Sequence, residues 1–107
     1  MGYTYPMDIF AALADPTRRR IVELVSNGDL SAGQIAEGFS VSRPAVSKHL
    51  RILRESGLLS SRGVAQSRIY SVNPAALTDL EEWAARTRST WSNHLTRLDQ
   101  HLMEKPR

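Results

Sequence analysis

The stretch SVSRPAVSKHLRILRESGLL, residues 40–59, decides the fold that this sequence predicts. Ser42 precedes a proline in the pattern of a helix N-cap and first turn, and Gly57 is a typical residue after a helix ends. On a helical wheel of about 100° per residue, Val46, Leu50 and Leu53 form one apolar stripe, with His49 on its edge. We therefore expect a buried helix over about residues 43–55, in which His49 is packed and hydrogen-bonded.

The opposite side of this helix carries polar and basic side chains, which we call the basic arc. It spans roughly 140° of the wheel and consists of Arg43, Pro44, Ser47, Lys48, Arg51 and Arg54. Arginine pairs with guanine edges in the major groove of DNA, and lysine and serine bind phosphates. Many helices carry a basic arc only to face solvent, so the arc by itself leaves DNA binding and a solvated surface both open.

Other helices are predicted on both sides of this stretch. Asp15 is the N-cap of one, and Ser31 with Gln34 forms a capping box before another. A short helix precedes them and ends by Ala14, and Asn73 caps a long last helix over about residues 75–102. The side chains expected to face the core from the first three helices are Ile9, Phe10, Leu13, Ile21, Leu24, Val25, Ile35, Ala36 and Phe39.

After residue 58 the spacing of apolar residues changes from helical to alternating. The segment LLSSRGVAQSRIYSV, residues 58–72, predicts a hairpin of two strands around a connection that contains Gly63. Arg62, Gln66 and Arg68 are expected near its polar tip, as a wing that reaches the DNA backbone or the minor groove. The predicted fold class is therefore mainly α with a small β-hairpin, in which the helix-turn-helix covers about residues 31–56.

Composition and charge limit the function classes. The chain has 107 residues, which fits a single domain over 1–107, and its net charge is +3. Between Ser40 and Arg68 there are six arginines or lysines and one acid, Glu55, so the positive charge is concentrated locally. The chain contains no cysteine, which excludes disulfides, thiolate metal sites and cysteine nucleophiles. Without a Gly-rich phosphate loop or a catalytic His–carboxylate set, we expect no enzyme, no catalytic residue and no cofactor.

Two further features concern location. No apolar run approaches the roughly 18 residues of a membrane helix, and the N-terminus lacks the pattern of a signal peptide. We therefore expect a cytoplasmic protein that does not contact a membrane.

Three segments together resemble the ArsR family of winged helix-turn-helix repressors. They are FAALADPTRRRIVELV (residues 10–25), LSAGQIAEGFSVSRPAVSKHLRILRESGLL (30–59) and SRIYSVNP (67–74), within a resemblance that runs from residue 8 to about 74. The resemblance implies a dimeric winged helix that binds double-stranded DNA at a pseudo-palindromic operator as a sequence-specific transcriptional repressor. Carried over by position, it implies that residues 43–55 are the recognition helix, that Arg68 belongs to the wing, and that these residues face DNA: Ser42, Arg43, Pro44, Ser47, Lys48 and Arg51.

The sequence departs from the family at its metal sites. Ser31 and Gly33 stand where many members carry a cysteine pair, so that site cannot form here. A second family site uses Asp and His residues of the last helix, where this chain has His94 and His101 but lacks the closely spaced histidine pair. We expect no metal site, and a repressor that responds to metal through these histidines stays open as an alternative.

The last helix carries an apolar seam, in which residues recur at steps of three and four. Its members are Leu77, Leu80, Ala84, Thr87, Trp91, Leu95, Leu98 and Leu102. This is more apolar surface than one small domain is expected to expose, so we predict a homodimer through this helix and the first one. The expected interface residues are Ile9, Leu77, Leu80, Ala84, Trp91, Leu95 and Leu98, and the alternative is that the helix folds back on its own core.

Two further functions remain open at this stage. The first is a winged-helix module whose basic arc binds an acidic protein. The second is a sensor that releases DNA when an unidentified small organic effector binds. The operator, the regulated genes and the effector are not readable from the residues.

Overall fold

A computed structural model describes residues 9–104, and side-chain burial is described for residues 9–103. The ends of the predicted domain, including residue 8 of the resemblance, lie outside the described residues. The elements are α1 (Ile9–Leu13), α2 (Pro16–Ser26), β1 (Leu30–Ser31), α3 (Ala32–Glu37), α4 (Arg43–Glu55), β2 (Leu59–Val64), β3 (Ser67–Val72) and α5 (Pro74–Glu104). They divide into two compact units between Leu77 and Thr78.

The helices of the first unit begin at the caps that the sequence predicts. The Asp15 carboxylate accepts a hydrogen bond from the backbone N–H of Arg18 at 3.0 Å, which starts α2. Ser31 and Gln34 form the reciprocal capping box of α3, with distances of 2.9 and 3.1 Å. The Ser42 hydroxyl accepts from the backbone N–H of Ala45 at 3.2 Å, which starts α4. The three predicted caps are thus confirmed. Each is formed by hydrogen bonds between residues three positions apart, so a local sequence pattern is enough to predict it.

The core of the first unit is aliphatic. α4 contributes Val46, Leu50 and Leu53, each at most 1% exposed, and this confirms the predicted stripe. The other buried apolar residues are Ile9, Ala12, Ile21, Val25, Ile35, Leu58, Leu59, Tyr70 and Ala76.

Some of the predicted core side chains lie nearer the surface. Phe10 is 46% exposed, and the buried residues of α1 are Ile9 and Ala12. Leu24 and Phe39 are only half-buried, and the Arg20 guanidinium lies 5.6 Å from the centre of the Phe39 ring. α3 ends at Glu37, so Phe39 lies beyond the helix that was expected to include it.

The sheet has three antiparallel strands in the order β1-β3-β2, not the two that the sequence predicts. β1 pairs Leu30 with Tyr70 and Ser31 with Ile69. A strand of two residues is too short to show the alternation from which strands are predicted. β1 matters for the site because it joins the start of α3 to the wing.

The hairpin of β2 and β3 turns at Ala65 and Gln66, between the paired residues Val64 and Ser67. Ala65 has a φ of 56°, the left-handed conformation that a two-residue hairpin turn requires at this position. Gly63, expected in the connection, lies within β2 opposite Arg68. The predicted turn was therefore placed too early in the chain.

The exit from α4 into the wing is a tight junction. Gly57 has a φ of 88°, and its N–H donates to the Arg54 carbonyl while the Leu58 N–H donates to the Leu53 carbonyl, each at 3.1 Å. This pair of bonds is a Schellman motif, which ends a helix on a left-handed residue. The Asn73 side chain donates to the Gly57 carbonyl at 2.8 Å and accepts from the Ala75 N–H at 3.2 Å, so it also caps α5.

α5 is a helix of 31 residues, and from Glu81 to Met103 its side chains are exposed in the described chain. Within it, the rings of Trp91 and His94 stack with centroids 5.9 Å apart. None of the helices in residues 9–104 combines the length and the apolar character that crossing a bilayer requires.

Candidate nucleic-acid interface

α3 and α4 pack against each other as a helix-turn-helix, and α4 displays the basic arc. All six members of the arc are exposed, as is Ser42 at its N-cap. Val46, Leu50 and Leu53 on the other side of α4 are buried in the core. Their packing holds the helix in place, so the basic side chains stay on the surface. The structure thus places on one surface the residues of this helix that were expected to face DNA.

Within the arc, four side chains form a nearly straight row. Arg43, Ser47, Arg51 and Arg54 stand at i, i+4, i+8 and i+11, which spans about 80° of the wheel and about 17 Å of helix axis. Lys48 and Pro44 flank this row. A row of this length fits along the major groove, which admits an α-helix.

The side of α4 next to its apolar stripe is tied to the start of α2. The Nδ1 atom of His49 lies 3.4 Å from Arg18 Nη1 and 4.0 Å from the Asp15 carboxylate. Arg18 also donates to the carbonyl oxygens of Ala12 at 2.7 Å and Ala11 at 3.3 Å, at the end of α1. The prediction that His49 is a packed, hydrogen-bonding residue is confirmed. These contacts join α1, α2 and α4 and restrict the rotation of α4 about its own axis.

The carboxyl group of Asp15 is part of the same cluster. The hydrogen bond from the backbone N–H of Arg18 and the nearby charges of His49 and Arg18 together lower the pKa of Asp15 below its ordinary value of 3.8. The carboxylate therefore stays charged at neutral pH, as an N-cap requires.

The two wing arginines lie on opposite faces of the hairpin. Directly paired residues share a face and successive residues alternate, and the pairs here are Arg62 with Ile69 and Gly63 with Arg68. Arg68 shares its face with the buried residues Leu59 and Tyr70, on the side where Arg54 of α4 also reaches the sheet. Arg62 is on the other face.

Arg62 is also engaged within the protein. Its Nη1 donates to the Asp29 carboxylate at 3.1 Å and to the Ser71 hydroxyl at 3.2 Å. Hydrogen bonds from Ser71 and from Arg62 lower the pKa of Asp29. Arg62 lies within β2, where Gly63 and Val64 separate it from the turn. Of the three residues expected near the tip, Gln66 lies in the turn itself, next to Ala65.

The residues expected at a dimer interface differ in exposure. Leu77, Trp91, Leu95 and Leu98 are 40–58% exposed, and Ala84 is also exposed. Leu80 is half-buried. Ile9 is 9% exposed, because it packs into the core of the first unit, so little of its side chain is left for a partner.

In this chain, other contacts are seen at the positions where the resemblance to the family would place metal ligands. Ser31 caps α3, and a Cβ atom at Gly33 would lie 3.9 Å from Arg43 Nη1. His94 stacks on Trp91. Among the described residues, no three His, Asp or Glu side chains are grouped in a way that could hold a metal ion.

Comparison with known proteins places this geometry in a family. Residues 15–61, from the cap of α2 into β2, match the model of the bacterial regulatory proteins of the arsR family. The transcriptional repressor SdpR of Bacillus subtilis (strain 168) is 42% identical over 76 residues, which cover 71% of this chain and 84% of the relative. The chain belongs to the arsR family.

Another relative and a solved structure agree with this assignment. The arsenical resistance operon repressor of Escherichia coli (strain K12) is 37% identical over 87 residues. This match covers 80% of this chain and 71% of the relative. The ArsR-like transcriptional regulator from Rhodococcus sp. RHA1 has a TM-score of 0.77 and 34% identity, and the match covers 86% of this chain and 87% of that one. As an arsR family protein with a winged helix-turn-helix, this chain is a DNA-binding transcriptional regulator.

Sequence reasoning missed one residue of this surface. Ser61 of β2 is half-buried and accepts hydrogen bonds from both Arg54 and Arg68. The alternation from buried Leu59 places Ser61 on the inner face of the hairpin, and this signal was available. Its link to α4 was not, because that link joins residues from two different elements.

Proposed function

We propose that this protein is a repressor that binds a pseudo-palindromic operator as a homodimer, with α4 in the major groove and the hairpin as its wing. The observation that carries the proposal is the exposed row of Arg43, Ser47, Arg51 and Arg54 on a helix whose other side is buried. Arginine reads guanine bidentately, and serine with lysine binds phosphates. Such a repressor would act in the cytoplasm.

The apolar seam of α5 supports the dimer. Its eight members fall within about 80° of the helical wheel and extend over about 37 Å of helix axis. Leu102 at its far end is 64% exposed and Trp91 is 58% exposed. Every member except the half-buried Leu80 is exposed. An apolar stripe of this kind is typical of a helix that packs against a partner helix. Two protomers related by a two-fold axis would present two recognition helices to successive turns of DNA.

The proposal is tested by selecting bound duplexes from a random library and measuring affinity for the enriched sequence. Arg51→Ala should weaken specific binding by about 1–3 kcal/mol and relax the preferred base at one position of each half-site. Arg86→Ala is the control, because it removes the same charge from the side of α5 opposite the seam. If no sequence is enriched, or if the two variants bind equally well, the recognition-helix assignment is wrong.

The dimer is tested separately by sedimentation equilibrium. Leu98→Glu should shift the protein to a monomer, because it places a charge within the seam. Ser89→Glu introduces the same charge on the opposite side of α5 and should leave the mass unchanged. A monomeric wild type at micromolar concentration would overturn the proposed assembly.

A further inference from the structure

Two arginines from different elements converge on one hydroxyl group between α4 and the wing. Arg54 Nη1, from the last turn of α4, lies 3.5 Å from Ser61 Oγ, and Arg68 Nη1, from β3, lies 3.0 Å from the same oxygen. Arg68 is paired with Gly63 and reaches its diagonal neighbour Ser61 on the same face. One nitrogen of each guanidinium group therefore lies next to the same hydroxyl oxygen.

The hydrogen-bonding capacity of this cluster is unbalanced. Ser61 Oγ accepts from both arginines, so its two lone pairs are used while its own O–H is left to donate. Each guanidinium carries five N–H donors, and the cluster uses one from each. In residues 9–103, no carboxylate lies within 4.0 Å of either guanidinium, whereas Arg62 on the other face has Asp29. The cluster therefore has several unused N–H donors, and its one acceptor, Ser61 Oγ, is already occupied.

A phosphate group supplies what the cluster lacks. Its oxygens accept the forked N–H pairs of arginine in parallel bonds, and its charge offsets the repulsion of two like charges. The location indicates which phosphate, because Arg54 continues the row of Arg43 and Arg51 on the exposed side of α4. Where a recognition helix leaves the major groove at its C-terminal end, the next group it meets is the DNA backbone.

We infer that Arg54, Ser61 and Arg68 form one binding site for a backbone phosphate of the operator, which joins the recognition helix to the wing. Ser61 is a positioning residue, since it holds the two guanidinium groups and donates its own proton to the same phosphate. This inference rests on the proposed function, because it identifies the DNA group that the surface of α4 and the wing would bind. A purely structural link would instead stabilise the wing and leave the salt dependence of DNA binding unchanged.

The experiment measures affinity for the duplex enriched by wild type, as a function of salt, for Arg54→Gln, Arg68→Gln and the double variant. Loss of one phosphate contact per protomer flattens the log–log salt slope by about 0.9 per contact, or about 1.8 for a dimer. For the double variant, the fall in affinity between 50 and 200 mM salt should thus be about 12-fold smaller than for wild type. Arg86→Gln, which removes the same charge from the side of α5 opposite the seam, is the matched control and should keep the wild-type slope.

A phosphate shared by the two arginines and Ser61 makes three further demands. The loss of affinity in the double variant should be smaller than the product of the two single losses, because both arginines hold the same group. Ethylation of one phosphate in each half-site should weaken wild type and leave the double variant unaffected. Ser61→Ala should lower affinity with both arginines present, and Ser61→Thr, which keeps the hydroxyl, should restore it. Urea unfolding of each variant separates these effects from lost stability.

The inference fails if the double variant keeps the wild-type slope, or if the two single losses multiply as those of independent contacts do. It also fails if Ser61→Ala binds as wild type does. These outcomes differ from failure of the proposed function, in which wild type itself enriches no sequence from the library.

Discussion

Gly57→Ala should destabilise the protein, whereas Gly63→Ala, six residues later, should not. Gly57 has a φ of 88°, in the region where an L side chain is strained, and the bonds that end α4 depend on this conformation. Placing a side chain on a left-handed residue costs about 1–2 kcal/mol. The free energy of unfolding of Gly57→Ala should fall by this amount.

Gly63, which lies within the hairpin, provides the opposite case. It lies in β2, it is not among the glycines with positive φ in the described chain, and a Cβ atom built on it meets nothing within 4 Å. Glycine within a strand is less favourable than alanine by roughly 0.5–1 kcal/mol, because it loses more conformational freedom on folding. Gly63→Ala should therefore raise the free energy of unfolding slightly, and the two variants should differ by about 1.5–3 kcal/mol.

The assay is equilibrium unfolding in urea, followed by far-ultraviolet circular dichroism. All proteins are compared at one protomer concentration, because the proposed dimer would make apparent stability depend on concentration. At about 4–8 °C per kcal/mol for a domain near this size, Gly57→Ala should also melt roughly 4–16 °C below wild type. The reasoning is refuted if Gly57→Ala is as stable as wild type, or if both substitutions change stability in the same direction by similar amounts.

Three other predictions test the core, the cap and the absence of metal sensing. Leu50→Ala should lower the free energy of unfolding by roughly 2–5 kcal/mol, because it truncates a buried side chain. Ser47→Ala, on the exposed side, should change it by at most about 0.5 kcal/mol. If Leu50→Ala is as stable as wild type in urea, the assignment of the buried side of α4 is wrong. Asp15→Ala should cost about 1 kcal/mol at neutral pH through loss of the N-cap. Because the pKa of Asp15 is lowered by folding, its charge contributes stability at pH values above the unfolded pKa of 3.8. This contribution is lost as the pH falls through the folded pKa. Asp15→Asn should remove this pH dependence of stability, and an acid unfolding profile identical to that of wild type would contradict the prediction. Because the chain has no cysteine, its DNA affinity in a gel shift should be unaffected by arsenite, cadmium or EDTA. Calorimetry would contradict this prediction if it found a tight Zn²⁺ site that is coupled to DNA release and is lost in His94→Ala/His101→Ala.

Much of the helix-turn-helix is predictable from local pattern. The caps at Asp15, Ser31 and Ser42 are bonds between residues three apart, so the sequence carries both partners side by side. The buried stripe of α4 follows from the helical period alone, since residues spaced by three and four share a face. The exposed basic arc is the other side of the same wheel.

The wing is less predictable because its geometry depends on where the turn falls. Side chains alternate along a strand, so the pairing register decides which residues share a face. A turn around Gly63 was expected, and the observed turn at Ala65 and Gln66 places Arg62 and Arg68 on opposite faces. As a result one wing arginine pairs with Asp29 and the other turns toward α4.

The sequence was enough to predict the helix starts, the buried and exposed sides of α4 and the local concentration of positive charge, and it excludes thiol chemistry. Each of these depends on residue type or on spacing within one element. The tertiary structure alone decided the pairing of β1 with β3, the burial of Ile9, and the meeting of Arg54 and Arg68 at Ser61. These contacts join residues from different elements, and their geometry is set by how the helices and strands pack together, which no local period encodes.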